Sequence, residues 1–273
     1  MEQAGLGRTL RRVKAMPNVL QGQVAVITGS TQGIGAGIAK LLAAEGSQVV
    51  VHGLDAAAGE RVVAAIQASQ GVATLLAGDL QQEAHCRQLI QHALKTYGRI
   101  DILVNNAGIY TRGDLETTSV ELWDRIFAIN LRAPFILCQE AVRSMRKQGG
   151  GCIVNIGSVN AYIGGKKLLP YSASKGGLMT FTRNLANYLA PSRIRVNQIN
   201  PGWVLTEGEH LVESVEEGRG ENWLDVVLPT RPFGRMLYPE DIAQAVLFFA
   251  SNPLLTGAVI DYEQVPVGAL PEV

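Results

Sequence analysis

The chain has 273 residues, of which 47% are hydrophobic and 18% charged, a composition that excludes a disordered, collagen-like or coiled-coil protein. Its 24 basic and 24 acidic residues cancel, so the net charge favours no nucleic-acid partner. No apolar run reaches the roughly 18 residues needed to span a bilayer, so no membrane partner is expected. Three widely spaced cysteines, Cys86, Cys138 and Cys152, are typical of free thiols in a reducing compartment, which predicts a cytoplasmic protein.

Short apolar segments alternate with helical patterns along the chain. The predicted strands are residues 24–28, 48–52, 73–77, 102–105, 151–156, 194–199 and 258–260, and the predicted helices are 34–44, 57–69, 82–97, 119–146, 171–189 and 239–250. Strands that are apolar throughout are buried on both faces, which predicts a parallel sheet with helices on both sides. We expect an α/β fold: a single-domain, Rossmann-type doubly wound sheet of about seven strands in the order 3-2-1-4-5-6-7.

The domain organisation follows from the composition of the connecting segments. No segment rich in proline, glycine or serine divides the chain, which predicts one domain over residues 21–273 after an N-terminal extension of residues 1–20. The extension is basic and is interpreted as frayed or partner-bound, with a transit-like segment as the alternative. Residues 206–229 form the longest segment without strand signal and predict a lid near 206–230, at the edge of the sheet where ligands bind.

A glycine-rich segment, Thr28-Gly29-Ser30-Thr31-Gln32-Gly33-Ile34-Gly35, joins the first strand to the first helix. Its glycines allow a tight turn and a close approach of the backbone to a pyrophosphate, and the helix N-terminus offers free N–H groups. At this junction of the first βαβ unit, the segment indicates a dinucleotide site.

The spacing T-G-x-x-x-G-x-G resembles that of the classical short-chain dehydrogenase/reductase family, and the resemblance runs from about Gln21 to Asp261. The other family motifs follow in order: Asp79-Leu80, Asn105-Asn106-Ala107-Gly108, Asn130, Ser158, Tyr171-Ser172-Ala173-Ser174-Lys175 and Asn200-Pro201-Gly202. The resemblance implies an NAD(P)-dependent oxidoreductase that interconverts a secondary alcohol and a ketone by hydride transfer.

Tyr171 and Lys175 stand four residues apart at the start of a predicted helix and therefore share one face. An ammonium group beside a phenol favours the phenolate, so Lys175 is expected to lower the pKa of Tyr171 towards the working range of an acid–base catalyst. The resemblance implies that Ser158 holds the substrate oxygen and that Asn130 holds a water linking Lys175 to solvent. Ser158 does not lie in a G-x-S-x-G elbow, which argues against a hydrolase.

The cofactor-binding residues expected from these motifs come from six segments of the chain. They are Gly29, Thr31, Gln32, Gly33, Ile34, Gly35, Leu54, Asp55, Asp79, Leu80, Asn106, Ala107, Gly108, Tyr171, Lys175, Pro201, Gly202, Val204 and Thr206. Asp79 can accept hydrogen bonds from the adenine amino group or cap the next helix, and Thr206 can bond the nicotinamide carboxamide.

The residues after the second strand bear on the choice between NAD and NADP. The position where NAD-preferring relatives carry an acid is Gly53, and Asp55, two residues later, can instead cap the next helix. NADP-preferring relatives place arginine or lysine beside the 2′-phosphate, and the corresponding positions here are Gln32 and Leu54, which are uncharged. This favours NAD, with NADP as the alternative. His52 points weakly towards NADP.

The substrate prediction rests on the charge of the lid. Residues 206–225 contain six glutamates and one aspartate against Arg219 alone, a field that repels anionic substrates and favours a small neutral sugar, polyol or alcohol. Lys166, Lys167 and the likeness of residues 201–206 to 3-hydroxybutyrate dehydrogenases keep a small hydroxy acid open, and a 3-oxoacyl reductase is a further alternative. The expected substrate contacts are Ser158, Asn160, Tyr171 and Trp203.

Three further alternatives concern chemistry outside hydride transfer. A cofactor-binding sensor or a structural subunit on the same fold would be expected to lack one of Ser158, Tyr171 and Lys175, and all three are present. The histidines show no metal spacing, so no metal site is predicted. A site formed by His210 with Glu207 and Glu209 is the weaker alternative to a solvated lid.

Some predicted helices carry more apolar residues than one face packed against the sheet requires, and this surplus predicts self-association. The predicted helix 119–146 carries Trp123, Ile126, Phe127, Phe135, Ile136 and Leu137. The apolar tail 265–270 follows the last strand, and together these would form an unusually large exposed patch. The family resemblance implies a homotetramer, with the tail reaching a neighbouring subunit or folding over its own lid.

Overall fold

A computed structural model of the chain describes residues 18–266 and shows one seven-stranded parallel sheet in the order β3-β2-β1-β4-β5-β6-β7, as predicted. The strands are β1 Val24–Ile27, β2 Gln48–Gly53, β3 Val72–Ala77, β4 Ile102–Asn105, β5 Gly151–Ile156, β6 Ile194–Pro201 and β7 Val259–Tyr262. Most side chains of β1, β2, β4, β5 and β6 are buried, which accounts for their continuous apolar runs.

Nine α-helices occur in the described part of the chain. They are α1 Gly33–Ala44, α2 Ala56–Ala68, α3 Glu83–Tyr97, α4 Val120–Phe127, α5 Ala133–Gln148, α6 Leu169–Leu189, α7 Glu207–Leu211, α8 Trp223–Val227 and α9 Pro239–Ser251. Their ends follow local sequence signals: Asp55 caps α2, and α9 begins with Pro239 and a capping box. The helix α3 ends at Gly98, whose φ of 79° is available to glycine at little cost.

The prediction of one continuous helix over residues 119–146 is wrong, because the helix is interrupted. Between α4 and α5 lies a π-helical turn, Ala128–Arg132, which contains Asn130. The apolar periodicity continues through this turn, so the sequence pattern could not reveal it, and such turns are frequent at functional sites.

Two apolar clusters lie on the two faces of the sheet. One packs α1, α2 and α9 against the sheet, and the other packs α3, α5 and α6 against its opposite face. Leu20 is fully buried in the first cluster, so the packed structure includes the last residues of the predicted extension 1–20. Residues 1–17 lie outside the described part.

The topology places a crevice beside β1. This strand pairs with β2 on one side and with β4 on the other, so successive connections leave in opposite directions from the middle of the sheet. Residues 206–230 form α7, a π turn, α8 and a 3₁₀ turn beyond the carboxyl end of β6. We call residues 206–230 the lid. In residues 18–266, no helix is both long and apolar enough to cross a membrane.

Candidate active site

A cavity of about 830 Å³ lies at the carboxyl ends of the strands. Every residue predicted to bind cofactor or substrate lines this cavity. Asn130 does not line it and stands behind Gly108, where its Oδ1 and the Nζ of Lys175 both approach the glycine. The topology thus brings the motifs of seven chain segments into one space.

Residues 28–35, which we call the cradle, have a shape that requires their glycines. Gly29 and Gly33 have φ values of 62° and 52°, in the left-handed region that glycine adopts readily. A Cβ on Gly29 would come within 2.8 Å of the Ala107 Cα, and one on Gly35 would overlap the carbonyl oxygen of Gly29. The cradle is therefore closed to side chains at the points where a ligand must approach the backbone.

The start of α1 carries no side-chain cap, as is also true of α3, α5, α6 and α8. Asp55 caps α2, Ser119 caps α4 and Thr206 caps α7, whereas Gln32 at the start of α1 makes no capping hydrogen bond. The first N–H groups of this 12-residue helix thus lack a side-chain cap and lie at the cavity wall. Free N–H groups at a helix N-terminus bind phosphate, so the cradle fits the pyrophosphate of a dinucleotide.

Asn106 and Ala107 tie the end of β4 to the cradle. The Asn106 Nδ2 donates to the carbonyl oxygens of Thr28 and Gly29 at 2.9 and 3.0 Å, and both backbone N–H groups donate to the Thr28 Oγ1 at 3.0 Å. This segment is thus a structural turn, and it also lines the cavity, so the two predicted roles are compatible.

We call the end of the cavity lined by Gly53, Leu54 and Asp55 the adenosine end, after the ligand predicted there, and the positions predicted to select the 2′ group, Gly53 and Leu54, carry no charge. A Cβ on Gly53 would lie 2.5 Å from the Thr31 Cγ2 and 2.6 Å from its Oγ1, so a carboxylate side chain there would displace Thr31. Leu54 is 71% exposed, and Asp55 caps α2 by accepting from the Ala58 N–H at 3.0 Å. The cations that line the cavity within residues 18–266, Arg112, Lys175, Arg219 and Arg231, belong to segments outside the cradle and β2.

Asp79 and His52 line the same end of the cavity, and His85 lies against His52. The carboxylate of Asp79 accepts from the backbone and side chain of Gln81 at 2.8 and 3.0 Å rather than capping α3, which begins after Gln82. His52 and His85 meet at 3.2 Å between their Nε2 atoms, and burial lowers the pKa of His52 to about 4. His52 is therefore neutral at pH 7 and supplies no positive charge for a 2′-phosphate.

Tyr171 and Lys175 lie on one face of α6, as the four-residue spacing predicts. The Nζ of Lys175 donates to the Ile156 carbonyl oxygen at 2.7 Å and lies 5.7 Å from the centre of the Tyr171 ring. Ser158 follows β5, and its Oγ accepts from the backbone and side chain of Asn160 at 3.1 and 3.3 Å. The Ser158 N–H donates to the Asn200 Oδ1 at 3.2 Å, which fixes the serine against β6.

Burial controls the pKa of both groups. It lowers the pKa of Lys175 to about 8 and raises the pKa of Tyr171, while the neighbouring Ser158 hydroxyl lowers the latter and the Glu209 carboxylate raises it. The expectation of a lowered pKa for Tyr171 is therefore wrong for the protein without a cofactor. The sequence pattern shows that a lysine stands beside the tyrosine, but not how deeply both groups are buried.

Asn130 is held firmly behind the cavity. Its Oδ1 accepts from the Ile109 N–H, and its Nδ2 donates to the Ile109 carbonyl oxygen and the Ser174 Oγ, all at 2.9–3.0 Å. These bonds use its side chain to connect the π turn with the segment after β4 and with α6.

The lid is less one-sided in charge than its sequence suggests. Glu213 is only 3% exposed and pairs with Arg219 at 3.0 Å and with Arg112 at 3.4 Å, and Arg112 also pairs with Glu217 at 3.1 Å. The prediction that only Arg219 opposes the acids is wrong, because Arg112 reaches the lid from the segment after β4. No local pattern could reveal a partner about 100 positions away.

Sequence reasoning also missed Glu263 and Arg231 at the far wall of the cavity. Glu263 follows β7, pairs with Arg231 and accepts from the Trp203 N–H at 2.9 Å. A Cβ on Gly202 would overlap the Glu263 carboxylate, so the glycine admits this contact.

The predicted alternative metal ligands do not converge. His210 contacts Glu221 at 3.1 Å and the Trp223 indole at 3.0 Å, whereas Glu209 contacts Trp203. Within residues 18–266, no group of three histidine, cysteine, aspartate or glutamate side chains could hold a metal ion.

A doubly wound parallel sheet with a cradle after β1, and with serine, tyrosine and lysine meeting in one cavity, defines a dinucleotide-dependent oxidoreductase. The family model for the short chain dehydrogenase matches residues 23–217, and the chain belongs to this family. It is an oxidoreductase that acts on CH–OH groups.

Curated relatives and solved structures cover almost the whole chain. The D-threitol dehydrogenase of Mycolicibacterium smegmatis is 36% identical over 89% of this chain and 92% of that protein. The D-beta-hydroxybutyrate dehydrogenase of Cupriavidus necator is 35% identical over 86% of this chain and 93% of its own length. The structure of levodione reductase, at 28% identity, superposes with a TM-score of 0.84 over 89% of this chain and 97% of that one.

Proposed function

We propose that this oxidoreductase interconverts a small neutral secondary alcohol or polyol and the corresponding ketone, with NAD as its preferred cofactor. The observation that carries the proposal is the convergence of Ser158, Tyr171 and Lys175 in the cavity that the cradle also lines. The similarity to D-threitol dehydrogenase supports a polyol.

Each of these residues has a separate task in the proposed reaction. The Ser158 hydroxyl donates a hydrogen bond to the substrate oxygen and orients it. Tyr171 takes the hydroxyl proton during oxidation and returns it during reduction, as a general base and acid. The Lys175 ammonium stabilises the phenolate, and Asn130 fixes the π turn beside α6 and holds the water that links Lys175 to solvent.

The cofactor would be held by the backbone of the cradle and by the small residues 106–108. When bound, NAD(P) supplies the hydride acceptor or donor. Asp79 and Leu80 would bind the adenine, and Val204 and Thr206 would lie beside the nicotinamide. The Thr206 Oγ1 accepts from the Glu209 N–H at 3.0 Å, which leaves its proton free to be donated.

The preference for NAD rests on the neutral adenosine end. A 2′-phosphate carries two negative charges and needs a cation, whereas the hydroxyl of NAD needs only a hydrogen-bond partner. Leu54 cannot supply a cation, and the Oγ1 of Thr31, which lies beside Gly53 and has no hydrogen-bond partner among residues 18–266, can bond a hydroxyl group.

A small hydroxy acid is the second candidate, and the similarity to D-beta-hydroxybutyrate dehydrogenase favours it. Lys166 and Lys167, the residues that made this candidate attractive, are exposed and do not line the cavity. Arg112, Arg219 and Arg231 do line it, but each is paired with a glutamate. A carboxylate substrate would have to compete with those glutamates.

The proposal is tested by following reduced nicotinamide absorbance with purified protein, NAD or NADP, and a panel of polyols, alcohols and hydroxy acids. We expect turnover with a neutral alcohol and a higher kcat/KM with NAD. Turnover of hydroxy acids alone would select the second candidate, and cofactor binding without turnover would favour a sensor.

We also propose a homotetramer. Of the predicted surplus apolar residues, Ile126, Ile136 and Leu137 are buried in the chain's own core, whereas Trp123 and Phe135 are 37% and 50% exposed. Near the C-terminal end of the described chain, Phe248 and Leu254 are also exposed, at 51% and 89%. The tail beyond residue 266 lies outside the described residues. Light scattering should give a mass near four chains, and a mass near 29 kDa would contradict the proposal.

A further inference from the structure

Among the described residues, the acidic side chains at the substrate end of the cavity pair with arginines, except for Glu207 and Glu209 of α7. Glu213 pairs with Arg112 and Arg219, and Glu263 pairs with Arg231. Glu209 lines the same cavity and, among the described residues, has no basic side chain within ion-pairing distance. It is half-buried, unlike the exposed Glu207 that precedes it on α7.

The orientation of Glu209 is set by two neutral contacts. Its Oε1 accepts from the Trp203 Nε1 at 2.6 Å, and its backbone N–H donates to the Thr206 Oγ1 at 3.0 Å. The Trp203 ring in turn stacks on Trp223, with 5.6 Å between the ring centres. The carboxylate is thus held on an aromatic support, and its Oε2 has no partner among the described residues.

Glu209 is also close to the reacting groups. It lines the cavity together with Ser158 and Tyr171, and its negative charge contributes to the raised pKa of both Tyr171 and Tyr110. A carboxylate accepts hydrogen bonds and donates none, so a second hydroxyl group of the substrate is a matching partner. A substrate carboxylate at the same place would be repelled.

We propose that Glu209 is the specificity-determining residue of the substrate site and that it binds a second hydroxyl group of a polyol whose reacting hydroxyl lies at Ser158 and Tyr171. The inference rests on the proposed function, and it narrows the substrate class from neutral alcohols to compounds with at least two hydroxyl groups. Trp203 orients the carboxylate for this contact.

The experiment compares three four-carbon substrates: D-threitol, 2-butanol and 3-hydroxybutyrate. Wild-type protein should have its highest kcat/KM with threitol. Glu209→Gln should lower kcat/KM for threitol by about tenfold or more, because the substrate hydroxyl then faces a neutral amide in place of a charged acceptor. The same variant should change the value for 2-butanol by less than about twofold. An equal loss with both substrates, or no loss with threitol, would overturn the inference.

Glu216→Gln is the matched control. It makes the same chemical change on the lid, at an exposed residue that does not line the cavity. It should leave the ratio of threitol to 2-butanol activity unchanged. If it lowered the ratio as much as Glu209→Gln does, the general charge of the lid, and not Glu209, would select the substrate.

Calorimetric titration of threitol into the protein with saturating NADH separates this inference from the proposed function. Threitol that binds to the NADH complex but is not oxidised when NAD replaces NADH, with weaker binding to Glu209→Gln, would support the role of Glu209 and contradict the proposed reaction. Turnover of 2-butanol without binding or turnover of threitol would support the reaction and overturn the role of Glu209. Binding of none of the three compounds would contradict both.

Discussion

The cradle and the lid border the same cavity, but the cradle lines it mainly with backbone and the lid mainly with side chains. The cradle consists of backbone at the junction of β1 and α1, with glycines where the chain turns and an uncapped helix start. The lid consists of short helices with π and 3₁₀ turns, and side chains join it to distant segments. The first region presents N–H groups, and the second presents paired charges and aromatic rings.

This difference separates the tasks of the two regions. The backbone geometry of the cradle tolerates few substitutions, so this region is suited to binding the cofactor, which stays the same when the substrate differs. Side chains on the lid can be exchanged while the sheet keeps its register, so this region suits the choice of substrate. The proposed catalytic residues lie between them: Ser158 follows β5, and Tyr171 and Lys175 lie on α6. The predictions below test this division.

The largest effect is expected from Tyr171→Phe. Without the hydroxyl group no side chain takes the substrate proton, and kcat should fall by at least about 10²-fold. The cofactor Kd should change little, because the cradle is untouched. Stopped-flow turnover and cofactor fluorescence give the two values.

Tyr110→Phe is the control for this prediction. The Tyr110 ring lies edge-on to Tyr171, with 6.4 Å between the ring centres, and it lines the same cavity. It should retain most of the activity. Near-normal turnover in Tyr171→Phe would contradict the role of Tyr171 as the general acid and base.

The buried ammonium of Lys175 predicts a pH-dependent cost to stability. Because burial lowers its pKa from 10.5 to about 8, the unfolded chain binds more protons between these two values. Stability therefore rises with pH in this window, and the cost is fully present below pH 8. Relative to Lys175→Met, the wild-type free energy of unfolding should increase by about 2–3 kcal/mol from pH 7 to pH 10.

Urea unfolding of both proteins at several pH values measures this difference. Other titrating groups cancel in the comparison, and Lys167→Met, at an exposed site, should show no such trend. If the difference in free energy of unfolding between wild type and Lys175→Met stayed the same at every pH, burial of the Lys175 ammonium would not lower stability.

The cradle is tested by Gly35→Ala. The new Cβ would overlap the Gly29 carbonyl oxygen and approach the Asn106 Nδ2 to 2.5 Å, so the cradle would have to shift. Overpacking of this kind costs about 1–3 kcal/mol, and we expect the cofactor Kd to rise about tenfold or more. In Gly165→Ala the nearest atom, the Leu168 Cδ1, lies 3.9 Å away, so its Kd should stay unchanged. Equal effects of the two variants would contradict a closely fitted cradle.

The same division explains how much the sequence could predict. The strand positions and the cradle follow from apolar runs and from glycines at fixed spacing, because both depend on residues close together in the chain, and the strand order follows from the doubly wound pattern of alternating strands and helices. The pairing of Arg112 with Glu213 and the contact of Glu263 with Trp203 depend on tertiary packing between distant segments. The direction of the Tyr171 pKa shift depends on burial depth, which spacing does not encode. The π turn at Asn130 leaves the apolar pattern unchanged, so it was also hidden.

The smallest effect concerns Asp55, which stands where the cradle side of the cavity meets α2. Its Oδ1 accepts from the Ala58 N–H, as a helix cap does. Asp55→Ala should therefore lower the free energy of unfolding by about 1 kcal/mol, and Ser119→Ala, which uncaps α4 outside the cavity, should lower it by a similar amount. Asp55→Ser keeps a capping oxygen but removes the charge, so it should restore stability. It should also keep the Kd for NAD within about twofold, because the residue lies two positions past Gly53 and its cap fixes the carboxylate on α2. A rise in that Kd with stability intact would show instead that the Asp55 carboxylate binds the adenosine ribose. Cofactor affinity would then depend on a side-chain charge, as substrate selection by the lid is proposed to do.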